Sequence, residues 1–135
     1  MLDEGKRRIR MQELDLAKKI GQVLYDRKAQ DIVVLKVDHL MILTDYLVIA
    51  TGTNSQHTKA LKEHIEQELG KLGLAPRHIE GQNEGRWIVM DYSSVMVHIF
   101  HPEDRGFYRL ERLWSDGNNT IALPFEEEDY EEGKA

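Results

Sequence analysis

There is no cysteine in this chain. Disulfides, thiolate catalysis and zinc–cysteine sites are therefore excluded, and a reducing compartment suits it. No apolar run approaches the ~20 residues needed to cross a bilayer. The basic start (Lys6, Arg7, Arg8, Arg10) has no hydrophobic stretch behind it and does not read as a secretory signal. A cytoplasmic protein is the expectation. A basic face is also missing, since the net charge is −6. Residues 126–135 hold six acids and one base, while residues 1–10 hold four bases and two acids, leaving a mildly acidic body between them. Nucleic-acid binding would need a basic footprint. An acidic body suits a basic protein partner better.

Catalytic constellations are missing as well. No Asp-x-Asp or Asp-x-Glu falls on a predicted strand, where nucleotidyl transfer would want paired carboxylates to hold Mg²⁺. Ser55, Ser93 and Ser94 lie outside any nucleophile-elbow motif. His98 and His101, with Asp91 and Glu103 nearby, could be drawn as metal ligands. Two histidines three apart at a strand end diverge, however, and no third ligand is placed. His98 reads better as a hydrogen-bonded, half-buried sheet residue and His101 as part of a helix cap. His57 and His64, seven apart on one helix, read as solvated positions.

What is present is one domain's worth of chain: 135 residues, 41% of them apolar and 31% charged. Three segments are expected: a flexible arm over 1–11, a folded domain over 12–116 and an acidic flexible tail over 117–135. Leu16, Ile20, Val23 and Leu24 recur at helical spacing and predict a helix from Gln12 to Arg27. Ile32–Val37 and Tyr46–Thr51 are rich in β-branched residues and nearly unbroken in apolarity, as in strands covered on both faces. Between them Leu40–Leu43 is expected to pack as a turn under the sheet. A second helix is predicted from a cap at Thr53 or Asn54 to about Leu72, with Leu61, Ile65, Leu69 and Leu72 buried and Gly73 at its stop.

His78–Glu80 reads as a short edge strand. Arg86–Asp91 and Val95–Phe100 then form an antiparallel hairpin across Tyr92-Ser93-Ser94. Alternation turns Trp87, Val89 and Asp91 one way and Ile88 and Met90 the other. Pro102 starts a last helix, expected to run unbroken to Trp114 and to bury Phe107, Leu110 and Trp114. Helices and strands in this order build an α/β fold, a mixed β-sheet flanked by helices.

Two surfaces invite a functional reading. Thr51-Gly52-Thr53-Asn54-Ser55 joins a strand to a helix start, where backbone N–H groups could cradle a phosphate. It lacks the spacing of a P-loop or a dinucleotide fingerprint, so a capped turn is the plainer account and a nucleotide-dependent enzyme at Gly52 the alternative. Trp87 and Tyr92 flank the hairpin, and an aromatic on an open sheet face is the type enriched at interface anchors. Core and interface are both open for Trp87; Tyr92, in the turn, is expected to be exposed.

The residues Thr44–His57, Glu80-Gly81, Trp87–Tyr92, Val95–Phe100 and Phe107–Trp114 together resemble the ribosomal silencing factor family, also called Iojap-like. The similarity covers about residues 12–116, in order and without large gaps. It implies a nucleotidyltransferase-like fold that has lost the transferase carboxylates and acts without a cofactor. It also implies binding to the uL14 protein on the large ribosomal subunit. Occupying that site would block joining with the small subunit and lower translation when nutrients are short. The resemblance puts the contact on the sheet and hairpin surface, so Trp87, Asp91 and Tyr92 carry over as candidate contacts. It allows a homodimer.

Overall fold

A computed structural model describes the backbone of residues 2–125 and the side chains of residues 13–125. Four helices and five strands run in the order α1 (Leu2–Asp26), β1 (Gln30–Lys36), β2 (Tyr46–Thr51), α2 (Ser55–Gly70), β3 (His78–Glu80), β4 (Trp87–Asp91), β5 (Val95–Phe100), α3 (Pro102–Tyr108) and α4 (Leu110–Trp114). They form one mixed sheet, ordered β1-β2-β5-β4-β3. β2 and β5 pair in parallel at its centre, and every other pair is antiparallel. Every residue of β2 is buried, because helices cover both faces of the sheet there. The fold is the expected α/β arrangement.

α1 and α2 pack on one face, and Ile20, Leu24, Leu61, Ile65 and Leu69 meet Val34, Val48, Ile88, Met90, Val97 and Ile99 in the main core. Asn54 caps α2 by accepting the His57 N–H at 2.8 Å. α2 ends at Gly70, so Leu72 leaves the buried stripe and is exposed, contrary to expectation. The backbone of α1 is helical from Leu2, through the segment expected as an arm.

The other face carries a smaller cluster of Leu35, Val37, Leu47, Ile49 and Phe100, covered in part by Leu110 and Trp114. Here the last helix is broken, contrary to the expected single rod. Arg109 takes φ 48° and ψ 48°, closing α3 and opening α4. The break is held by buried Arg105, which donates to Glu111 at 3.1 Å and to Thr51 at 2.9 Å. It swings Phe107 out to 80% exposure instead of into the core. Leu40, Ile42 and Leu43 are also exposed rather than tucked under the sheet. Only Met41 of that loop packs against the cluster.

Residues 117–125 depart from the flexible tail expected over 117–135. The Lys36 N–H donates to the Asn119 carbonyl and the Ile121 N–H to the Val34 carbonyl, both at 2.8 Å. This strap covers the outer edge of β1, an edge that would otherwise offer unpaired backbone groups. Leu123 then sits over Gly21 of α1, and Phe125 stacks on Tyr25 with ring centroids 4.2 Å apart. The acidic run 126–135 lies outside the described residues.

Candidate functional site

The hairpin β4–β5 presents Trp87, Val89, Asp91, Met96 and His98 on the face away from α1 and α2. The register places Val89 opposite His98, Asp91 opposite Met96 and Trp87 opposite Phe100. Trp87 and Asp91 are four residues apart on one strand, so they stand roughly 13 Å apart on the same face. Val89, Asp91 and Met96 are half-buried.

Trp87 is half-buried and sits in an aromatic nest. Its ring lies 5.0 Å from Phe100 and 4.6 Å from Tyr108 between centroids, and Phe107 meets Tyr108 edge-on at 5.0 Å. Its indole N–H donates to Nδ1 of His98 at 3.1 Å. An indole nitrogen can only donate, so Nδ1 must accept and the ring proton sits on Nε2. Burial pushes the His98 pKa down to about 4, which keeps the ring neutral at ordinary pH. His98 is thus hydrogen-bonded as expected, with Trp87 as the partner.

Asp91 holds the turn as well as the face. Its Oδ1 accepts the Ser93 N–H at 2.7 Å and stabilises Ser93 at φ 70°, a left-handed conformation that Asx contacts favour. Tyr92 is a correction. It is only 8% exposed and packs with Ile88 and Met90 in the main core, on the opposite side of the sheet from Trp87. The β4 alternation runs one residue further than the expected turn allowed, so 88, 90 and 92 share the inner face. Its hydroxyl is enclosed without a hydrogen-bond partner, and burial together with nearby Glu66 raises its pKa to about 12. Trp87 and Asp91 therefore belong to one surface, and Tyr92 does not.

Alternation places Val89 beside Trp87 and Asp91 as expected, and Met96 and His98 join them through the hairpin register. Tyr108 against Trp87 had no local signal, since the contact depends on the break at Arg109. The exposed apolar loop Leu40, Ile42 and Leu43 lies at the margin on the α4 side, where His39 is clasped to Asp116 at 2.6 Å. Hydrogen bonds to Asp116 first and then to Asp38 raise the His39 pKa.

In the turn after β2, several backbone donors are already engaged. The Thr53 N–H donates to Nδ1 of His57 at 2.9 Å, and Nε2 of His57 reaches the Arg27 carbonyl at 2.9 Å. The Gly52 N–H goes to the Phe100 carbonyl. A Cβ on Gly52 would lie 2.9 Å from the Thr58 nitrogen, so glycine is required there by close packing against α2. His101 caps α3 as expected, accepting from the Glu103 N–H. Among the described residues, no group of three or more His, Asp or Glu could hold a metal ion, and no helix is long and apolar enough to cross a membrane.

Comparison with known proteins bears on most of the chain. A family model described as ribosomal silencing factor during starvation matches residues 10–135. A Bacillus subtilis ribosomal silencing factor is 33% identical over 91 residues, which is 67% of this chain and 77% of that protein. The mouse mitochondrial assembly of ribosomal large subunit protein 1 is 33% identical over 96 residues, 69% of this chain and 42% of its own length. A crystal structure of a Chromobacterium violaceum protein superposes with a TM-score of 0.73 at 27% identity, covering 82% of this chain and 94% of that one.

Proposed function

The chain belongs to the ribosomal silencing factor family, and we propose that it is a cytoplasmic translational repressor whose open hairpin face binds the uL14 protein of the large ribosomal subunit. Bound there, it would stand between the subunits and block joining by its bulk, without catalysis. The observation that carries this reading is Trp87: a half-buried indole, held between Phe100 and Tyr108 of α3, on the sheet face away from α1 and α2. Rigid aromatics of this kind lose little conformational entropy on docking and supply large contact area. Asp91 on the same face and the net charge of −6 complement a basic partner. The relative whose name links it to assembly of the large subunit supports the choice of that subunit.

The same reading takes the fold as a nucleotidyltransferase-like scaffold emptied of chemistry. Among the described residues, no strand carries more than one carboxylate: Asp31 is the one on β1, Glu80 on β3 and Asp91 on β4. Paired carboxylates are what phosphoryl-transfer metal sites need. A homodimer formed through the same face would compete with the ribosome, so dilution should favour ribosome binding.

Sedimentation tests the proposal. The protein should travel with free large subunits present in excess and should be lost from subunits lacking the uL14 protein. Protein that stays at the top of the gradient with intact subunits would remove the reading.

A further inference from the structure

His98 is the polar group on the open face whose second nitrogen has no role in the fold. It is 8% exposed and stands opposite Val89 on one side and Ile49 on the other, among apolar neighbours. Its Nδ1 is taken by the Trp87 indole. Nε2 has no hydrogen-bond partner among the described residues, yet it is not among the fully enclosed unpaired atoms, which are the Tyr92 hydroxyl and Glu111 Oε2. A donor is thus presented at the middle of an apolar, half-open surface, with its tautomer fixed from behind. An unpaired donor in such a setting is costly once a partner excludes water, unless the partner brings an acceptor.

We infer that His98 is the polar anchor of the docking face: its Nε2–H donates to a carbonyl or carboxylate oxygen of the partner protein. Trp87 is the positioning residue that keeps the ring proton on Nε2. The inference rests on the docking proposed above and specifies it, because a partner surface lacking an acceptor at that point would bury the donor unpaired. It would bind more weakly, and the face would reject it. Specificity then comes from one hydrogen bond set among apolar contacts.

Three substitutions separate the two ring nitrogens. His98→Asn keeps a short inward acceptor for the Trp87 N–H and loses the outward donor. His98→Gln reaches out with an amide N–H near the Nε2 position. His98→Phe keeps the ring and loses both. Binding to the large subunit should fall about tenfold in His98→Asn and His98→Phe and stay within about threefold in His98→Gln, with melting recorded for each. In the unsubstituted protein, ¹⁵N-detected NMR of the His98 ring should report the Nε2–H tautomer when free and a downfield shift of that proton on binding. Folded His98→Asn that binds within about twofold of the parent would overturn the inference, and so would an Nδ1–H tautomer in the free protein. In either case the parent still binds. A parent chain that fails to bind large subunits at all would instead bring down the docking proposal itself.

Discussion

On β4, Ile88, Met90 and Tyr92 point toward α1 and α2 and are sealed in the core, whereas Trp87, Val89 and Asp91, one residue out of step, stay half-exposed. The inner face is aliphatic and closed. The outer face mixes an indole, an imidazole and a carboxylate, and its cover stops at α3 and α4. A single strand thus divides its residues between folding and recognition by parity alone. Stability should reside in the even positions and partner affinity in the odd ones.

The largest expected effect falls on the inner face. Ile88 is fully buried, and Ile88→Ala should cost about 2–5 kcal/mol of stability through lost burial and an unfilled cavity. At temperatures where the variant stays folded, its affinity for the large subunit should match the parent. Chemical denaturation read beside a binding titration checks both halves. Lost affinity in a folded Ile88→Ala protein would blur the division between faces.

The next effect belongs to His98. Its folded-state pKa of about 4 lies below the ordinary 6.5, so the unfolded chain binds the extra proton more readily. Its stabilising contribution is therefore whole above about pH 6.5 and is lost as pH falls from there toward 4, amounting to at most about 3 kcal/mol. His98→Gln should flatten that limb of the stability curve relative to the parent. Parallel curves between pH 6.5 and 4 would show that the ring is not buried as described.

The smallest effect is expected at Tyr92. Its hydroxyl is enclosed and unpaired, so Tyr92→Phe should leave stability unchanged or raise it by up to about 1 kcal/mol. Binding should not change. A clear loss of affinity would return Tyr92 to the docking surface.

Much of this was legible in the sequence. β2, β3 and β5, the Asn54 and His101 caps and the parity of Trp87 and Asp91 all follow from local pattern and capping chemistry. What was missed has a physical cause in each case. The left-handed Arg109 is no turn signal in itself; it is held by Arg105 reaching Thr51, 54 residues away. Phe107 and Tyr108 take their positions from that break. Tyr92 was misplaced because the turn was started one residue early. Ile121, Leu123 and Phe125 alternate, a strand-like signal overshadowed by the acidic run behind them. The outward character of Leu40, Ile42 and Leu43 had no sequence signal, since an apolar loop reads as buried.

The central claim is that the odd-numbered face of β4 is where the partner docks. The most direct measurement is the affinity for purified large ribosomal subunits of Trp87→Ala and of Val89→Lys, each checked for retained fold. Trp87→Ala should lose about 30-fold or more, corresponding to ~2 kcal/mol at an anchor residue, and Val89→Lys should bind clearly more weakly. Folded variants that both bind within about twofold of the parent would contradict the central claim.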